Sequence, residues 1–364
     1  MLTPSKQQLV SGMRRARWLA PWKDSNDKPA IYHCISRVVE RRLAFGPQEK
    51  ERFRVLMRMM ESFSGCRVLS YCIMSNHFHL LLEVPPMPLR CEGSGIKGLS
   101  DQELIKRLSA IYPESTVAHV AVELQNAQAS GNQSYRDDIH ARYTYRMNDL
   151  GQFMKTLLQR FTQWFNGRHE RTGRLWEDRF KSVIVESGTA SRSIAAYIDL
   201  NPLRAGMVED PADYRWSSYG EAVGGGSKGG GKKAREGLVR ACMSQHGVGF
   251  EVEKWKEVSR IHRRNMGYAL QRGGNHAVAM RDTERDGTNH AEESIIHFAD
   301  MLHHRVRYFT DGAVIGSKEF VNEVFSGARE RFAPRRRDGA RRMRGGGKPA
   351  AGVLWSMRDL RVRV

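Results

Sequence analysis

"CIMSNHFHLLLEVP", Cys72 to Pro85, sets two histidines one residue apart inside an apolar run. Side chains at i and i+2 of a strand share a face. His77 and His79 therefore point one way, and Phe78 and Leu80 the other. The preceding "CRVLSYCIM" is also strand-like, and Ser75-Asn76 has the character of a turn. The pair predicts an antiparallel hairpin with two imidazoles on one face. Two imidazoles so placed can reach one cation, and imidazole accepts several metals, so the pair names none. Two partly buried histidines satisfied by hydrogen bonds would fit the same pattern.

Upstream, "AIYHCISRVV" (Ala30 to Val39) is β-rich. Pro47 then opens "PQEKERFRVLMRMMESFS", with Phe53, Leu56, Met57, Met60 and Phe63 at helical spacing and Gly65 as its stop. The order is β-α-β-β. Residues 86–146 read as an insertion with one helix near "DQELIKRLSAIY". A second amphipathic helix follows in "MNDLGQFMKTLLQRFTQWFNGRH", then a basic turn and short strand in "RTGRLWEDRFKSVIVES". "GTASRSIAAYIDLNP" reads as a third helix stopped by Pro202, because the residue before proline is disfavoured in the α region.

The 364 residues carry 59 Lys and Arg against 40 Asp and Glu, a formal charge of +19. Such a balance suits a polyanion, nucleic acid before an anionic membrane surface. No run approaches the roughly 18 apolar residues of a spanning helix, and "MLTPSKQQLVSGMRRARWLAPW" has no apolar signal core, so export is not expected. The five cysteines (Cys34, Cys66, Cys72, Cys91, Cys242) form no CxxC pair. They suit reduced thiols of a cytoplasmic protein better than a disulfide framework or zinc finger. "GGGSKGGGKK" (Gly224 to Lys233) reads as a flexible basic linker. Gly226, Gly231 and Lys232 stand at Walker A offsets, but Lys233 replaces the Ser or Thr and no strand precedes them.

In "IAAYIDLNP", Tyr197 and Asn201 are i and i+4, neighbours on a helix face. The Asn carbonyl is a hard oxygen ligand suited to Mg²⁺ or Mn²⁺. Tyr is a known type of covalent nucleophile, although its phenol, with a pKa of about 10, is mostly protonated at neutral pH. Tyr71, Tyr214 and Tyr219 are rivals with no such partner at i+4 or with loop-like surroundings. Arg174, Arg179 and Lys181 precede the short strand and are expected to hold phosphates. Trp176 and Phe180 fit core packing better than base stacking. His33 and the adjacent His303 and His304 read as structural or surface histidines.

Together "YHCISR", "MSNHFHLLLEVP", "GRLWEDRFKSVIVE" and "YIDLNPLRAGMVEDPADYRWSSY", in that order, resemble the single-tyrosine HUH transposases, in particular the REP-associated tyrosine transposase branch of the IS200-like proteins. The resemblance runs from about Tyr32 to Tyr219, interrupted by the insertion. It implies an α+β fold, a ferredoxin-like or RRM-like antiparallel sheet with packed helices, and the histidine pair on a central strand. It implies His77 and His79 as metal ligands, Asn201 as the third, Tyr197 as nucleophile, and Mg²⁺ or Mn²⁺ as cofactor. The implied activity is cleavage and rejoining of single-stranded or hairpin DNA through a 5′-phosphotyrosine, in the cytoplasm at the nucleoid of a bacterial cell, with a homodimer allowed. A sheet-based nucleic-acid binder without cleavage, and a metallohydrolase drawing on Glu83 or Asp199, are the competing readings.

The expected organisation is a basic arm at 1–29, the HUH domain at 30–222 with its insertion at about 86–146, a linker at 223–235, and a basic, mainly helical extension at 236–364. The extension's "APRRRDGARRMR" offers Arg335, Arg336, Arg337, Arg341 and Arg342 as further DNA contacts, with Arg344 beside them.

Overall fold

The computed structural model describes residues 17–86, 99–225, 230–243, 254–270, 277–279, 307–332, 334–342 and 354–358. Most of the N-terminal arm, Cys91, Gly226, His303, His304 and Arg344 lie outside them. Strand β1 (Ala30–Arg37), helix α1 (Pro47–Ser64), β2 (Arg67–Ile73) and β3 (His77–Val84) follow the predicted β-α-β-β order. Gly65 closes α1 in the left-handed region, φ 78°, a conformation open to glycine at little cost.

β3 lies between β2 and β1, antiparallel to both, and Arg37 and Ile35 stand opposite His77 and His79. Its two faces enter different cores. Phe78, Leu80 and Leu82 join a cluster with Phe53, Phe63 and Phe161 of α1 and helix α5 (Leu150–Arg168). Leu81, two residues beyond His79, joins the opposite cluster, which contains helix α6 (Thr189–Asp199). The alternation read from the sequence thus sends the histidines toward α6.

Among its described residues the insertion holds three helices rather than one: α2 (Asp101–Leu108), α3 (Glu114–Ala129) and α4 (Gln133–Thr144). In α3 the buried residues are Val120, Leu124 and Ala127. That is a helical stripe too narrow to stand out among polar neighbours. β4 (Lys181–Val185) pairs with β1, and α6 is followed after Leu200 by the short α7 (Asn201–Arg204).

The sheet does not stop at residue 222. Beyond α8 (Ser218–Gly224), α9 (Lys232–Cys242), α10 (Trp255–Asn265) and the small ribbon of β5 (Tyr268–Leu270) and β6 (Ala277–Ala279) comes helix α11 (Arg307–Asp311). β7 (Gly312–Gly316) then adds to β4 in parallel. After α12 (Lys318–Gly327), β8 (Arg341–Arg342) and β9 (Trp355–Arg358) complete the order β2-β3-β1-β4-β7-β9-β8. The extension has the expected helices, and it also supplies three strands to the main sheet. Lys232 and Lys233, expected in the linker, open α9, and what precedes them is helix α8 rather than a phosphate-loop strand. Cys34, Cys66, Cys72 and Cys242 are buried free thiols. Among the described residues no helix is long and apolar enough to cross a membrane.

Candidate active site

From Ala190 to Asp199 every residue of α6 is buried except Arg192, which is partly so. Gly188 starts it at φ 84°, and the Ser191 hydroxyl bonds the Ala241 carbonyl of α9 at 2.7 Å. A helix held on every side delivers Tyr197 to one place. That place is a cleft of about 780 Å³ whose lining includes His77, His79, Tyr197, Asn201 and Arg204. The His77 and His79 ring centres are 5.2 Å apart, and the Tyr197 ring lies 6.1 Å from His79, edge-on. Metal–imidazole bonds of about 2.1 Å allow rings so spaced to share an ion.

Each imidazole has one nitrogen committed. His77 Nδ1 is 2.7 Å from the Asn76 side-chain oxygen, which can only accept. Nδ1 therefore carries the proton and Nε2 is the lone-pair nitrogen. His79 Nδ1 lies 3.0 Å from His33 Nε2, and His33 Nδ1 lies 2.8 Å from the Phe309 carbonyl oxygen. Since a carbonyl only accepts, the neutral chain has His33 Nδ1 donating to Phe309 and His79 Nδ1 donating to His33. Burial holds His33 neutral, lowering its pKa to about 4 against the smaller upward pull of the Phe309 bond. Burial, then the neighbouring His33, His77, Arg204 and Arg37, push His79 down too. Neutral imidazoles with Nε2 as lone-pair atom are the form that binds metals.

Asn201 Nδ2 donates to the carbonyls of Tyr197 and Ile198 at 3.3 and 3.1 Å. Its donor end is used within the helix turn, and its oxygen is the end that can serve the cleft. Pro202 has not turned Asn201 away from Tyr197. Two imidazole nitrogens and an amide oxygen fit a six-coordinate ion such as Mg²⁺ or Mn²⁺ that keeps other positions for phosphate or water. Among the described residues no group of three or more His, Cys, Asp or Glu is arranged to hold a metal.

The competing groups are engaged elsewhere. Glu83 is fully buried against Arg240 at 2.7 Å and Arg67 at 2.9 Å. Asp199 faces away from the cleft, to His262 Nε2 at 2.8 Å. The Tyr71 hydroxyl donates to Glu221 at 2.6 Å, and Tyr214 to the Ile73 carbonyl at 2.6 Å. The Tyr219 hydroxyl accepts from Arg263 at 3.1 Å. Burial raises the pKa of all three phenols.

Of the expected phosphate contacts, Arg179 and Lys181 line the cleft, whereas Arg174 is exposed and outside its lining. Trp176 packs against Phe45, Phe78 and Phe161 and bonds the Thr162 hydroxyl at 3.0 Å. Phe180 is buried beneath Arg17. Both are core residues. Arg335, Arg337, Arg341 and Arg342 are exposed. Arg336 is partly buried over the Phe332 ring at 4.5 Å and donates to the Asp338 and Gly339 carbonyls.

The sequence reading missed Arg37, Arg41 and Arg204 on the cleft, and also Thr310 and Asp311, which reach it from α11. Arg37 had a signal, since it stands opposite His77 in the β1–β3 register and alternation puts it on the same face as Ile35, the partner of His79. α11 had none, being remote in sequence.

The geometry is that of an α+β domain with a histidine pair, an amide and a tyrosine converging on a basic cleft. The family described as "Transposase IS200 like" matches residues 28–112, the span from β1 through α2 that includes the histidine pair. Within this span the chain is similar to the IS200-like transposases, the family that its motifs resemble. No curated protein matches the chain. A solved structure described as the "REP associates tyrosine transposase bound to a REP hairpin" aligns at 11% identity and a TM-score of 0.34. The alignment covers 58% of this chain and 86% of that one, a likeness too distant to bear on the site.

Proposed function

We propose that the protein is a transposase acting as a metal-dependent endonuclease and strand transferase on single-stranded or hairpin DNA. The observation that supports this most is the convergence of His77, His79, Asn201 and Tyr197 on one cleft. His77 and His79 through Nε2, and Asn201 through its oxygen, would hold Mg²⁺ or Mn²⁺. When bound, the ion polarises the scissile phosphate and offsets its developing charge.

The Tyr197 oxygen attacks phosphorus, forming a Tyr–O–P bond. The P–O3′ bond breaks, and the phenol proton is balanced by the proton gained at the released 3′-OH. A second 3′-OH reverses the step and joins new ends, so no nucleotide hydrolysis is required. Arg37, Arg179, Lys181 and Arg204 hold the backbone phosphates along the cleft. All these groups can be supplied by a single chain, and a homodimer is compatible with the same chemistry. The exposed Arg335, Arg337, Arg341 and Arg342 extend the DNA surface. Partly buried Arg336 supports them. Action on DNA would suit the cytoplasm, at the nucleoid if the cell is bacterial.

The test is covalent trapping. The protein is incubated with Mn²⁺ or Mg²⁺ and labelled single-stranded hairpin DNA from the flanks of its own gene, beside Tyr197→Phe and His77→Ala. The expected result is a metal-dependent adduct lost in both variants. An adduct that survives Tyr197→Phe removes Tyr197 as nucleophile. Tight binding with no adduct under either metal favours a binding protein that has lost cleavage.

A further inference from the structure

We propose that His33 is a positioning residue, which holds His79 in the tautomer that turns Nε2 to the cleft, with the Phe309 carbonyl as its anchor. The proposal rests on the metal reading of the site given above.

His33 is on β1, and strand alternation puts it on the same face as Ile35 and Arg37. Ile35 stands opposite His79 in the β1–β3 register, so His33 is its diagonal neighbour, within reach of a ring side chain. The rings are stacked with centres 5.2 Å apart and planes inclined by 21°. Both nitrogens of His33 are engaged, one with His79 and one with Phe309. It is therefore not placed as a fourth metal ligand. Its place in the chain of bonds is to accept one proton and donate another.

The polarity of that chain is set at its far end. The Phe309 oxygen is a pure acceptor, so the bond direction passes from Phe309 through His33 to His79. A hydrogen bond to the non-ligating nitrogen orients a metal-binding imidazole and raises its basicity, and losing one costs about 10–100-fold in metal affinity. Phe309 also packs its ring 5.0 Å from that of Tyr197, edge-on. One residue of α11 thus touches the nucleophile with its side chain and, through His33, the histidine pair with its backbone. The extension that carries it is anchored by β7 beside β4.

Two measurements on the full chain decide the matter. First, the protein is labelled with ¹⁵N-histidine and its imidazole tautomers are read by long-range ¹H–¹⁵N correlation, the His79 signals being assigned by their loss in His79→Gln. His79 is expected with its proton on Nδ1. A proton on Nε2 overturns the proposal, and this readout needs neither metal nor activity. Second, Mn²⁺ binding is measured by calorimetry in the parent, His33→Phe and His33→Gln. His33→Phe is expected to bind 10–100-fold more weakly. His33→Gln is expected to recover most of the affinity, because an amide can accept from His79 and donate to Phe309.

Unchanged Mn²⁺ affinity in a folded His33→Phe overturns the positioning role and leaves the function reading intact. Failure of the parent to bind Mn²⁺ at all overturns the metal reading, and this proposal with it. Should His33→Phe not fold, the tautomer in the parent and the His33→Gln affinity still decide the question.

Discussion

The Arg204 guanidinium lies 4.1 Å from the centre of the Tyr197 ring and donates to the Tyr197 carbonyl oxygen at 2.8 Å. It is mostly buried, and burial lowers its pKa despite the opposing influence of Tyr197 and Cys72. A guanidinium nevertheless remains charged throughout the working range. Arg204 thus sets a cation beside the phenol that would become a phenolate, and beside the phosphate it would attack. Removing such a preorganised donor costs about 10²–10³ in rate. Arg204→Gln is expected to slow single-turnover adduct formation by that order, with Arg204→Lys between it and the parent. A rate within a few-fold of the parent in a folded Arg204→Gln would exclude this role.

Arg179 and Lys181 are exposed cations on the cleft, with Lys181 3.3 Å from Asp311. Each phosphate contact contributes about one unit to the slope of log K against log salt. Arg179→Ala and Lys181→Ala should each flatten that slope by about one and weaken all DNA sequences alike. Arg174→Ala, outside the lining, should change it less. Fluorescence anisotropy across a salt series measures all three. Equal slopes in parent and cleft variants would place the DNA elsewhere.

The core of the fold was legible because its signals are local. Alternation in β3 and helical spacing in α1 each need only a few consecutive residues to show, and they placed Phe78 and His79 on opposite faces. The Tyr197–Asn201 pair was legible for the same reason. What was hidden is non-local. "GAVIG" is too short and too apolar to announce a parallel partner in β4. The His33–Phe309 bond joins residues 276 apart in the chain. The role of His33 was partly available, since Tyr32 and Cys34 alternate with it as core residues, but nothing on β1 indicates what would accept its proton.

Tyr214 provides a discriminating control among the tyrosines. Its hydroxyl satisfies the carbonyl of Ile73, at the end of β2, in a buried setting. Tyr214→Phe leaves that carbonyl without this donor, a loss of about 1–3 kcal/mol in stability. Chemical denaturation should show the loss while adduct formation in the folded fraction persists. Loss of the adduct at full stability would instead promote Tyr214 to the nucleophile.

Behind Tyr197, Asp199 meets His262 of α10 with both side chains fully buried. Burial, the largest single influence, would lower the His262 pKa, but the bonds to and charges of Asp199 and Cys242 together outweigh it, and the pKa rises to about 9. Tyr219, its ring 5.5 Å away, and Cys242 are the other titratable groups about it. The unfolded value is about 6.5, so the folded state binds this proton more tightly. The resulting stability is fully present below pH about 6.5 and lost as pH rises through about 9. Melting temperatures between these limits should fall more steeply in the parent than in His262→Gln, which has no such proton to release. Asp199→Asn should cost about 3–5 kcal/mol near neutral pH, as expected when one partner of a buried pair is removed. It should also lower adduct yield, since α6 carries Tyr197 on the opposite face of the same turn. Parallel pH profiles in parent and His262→Gln would show that the pair is not charged, and would reassign it as a neutral hydrogen bond.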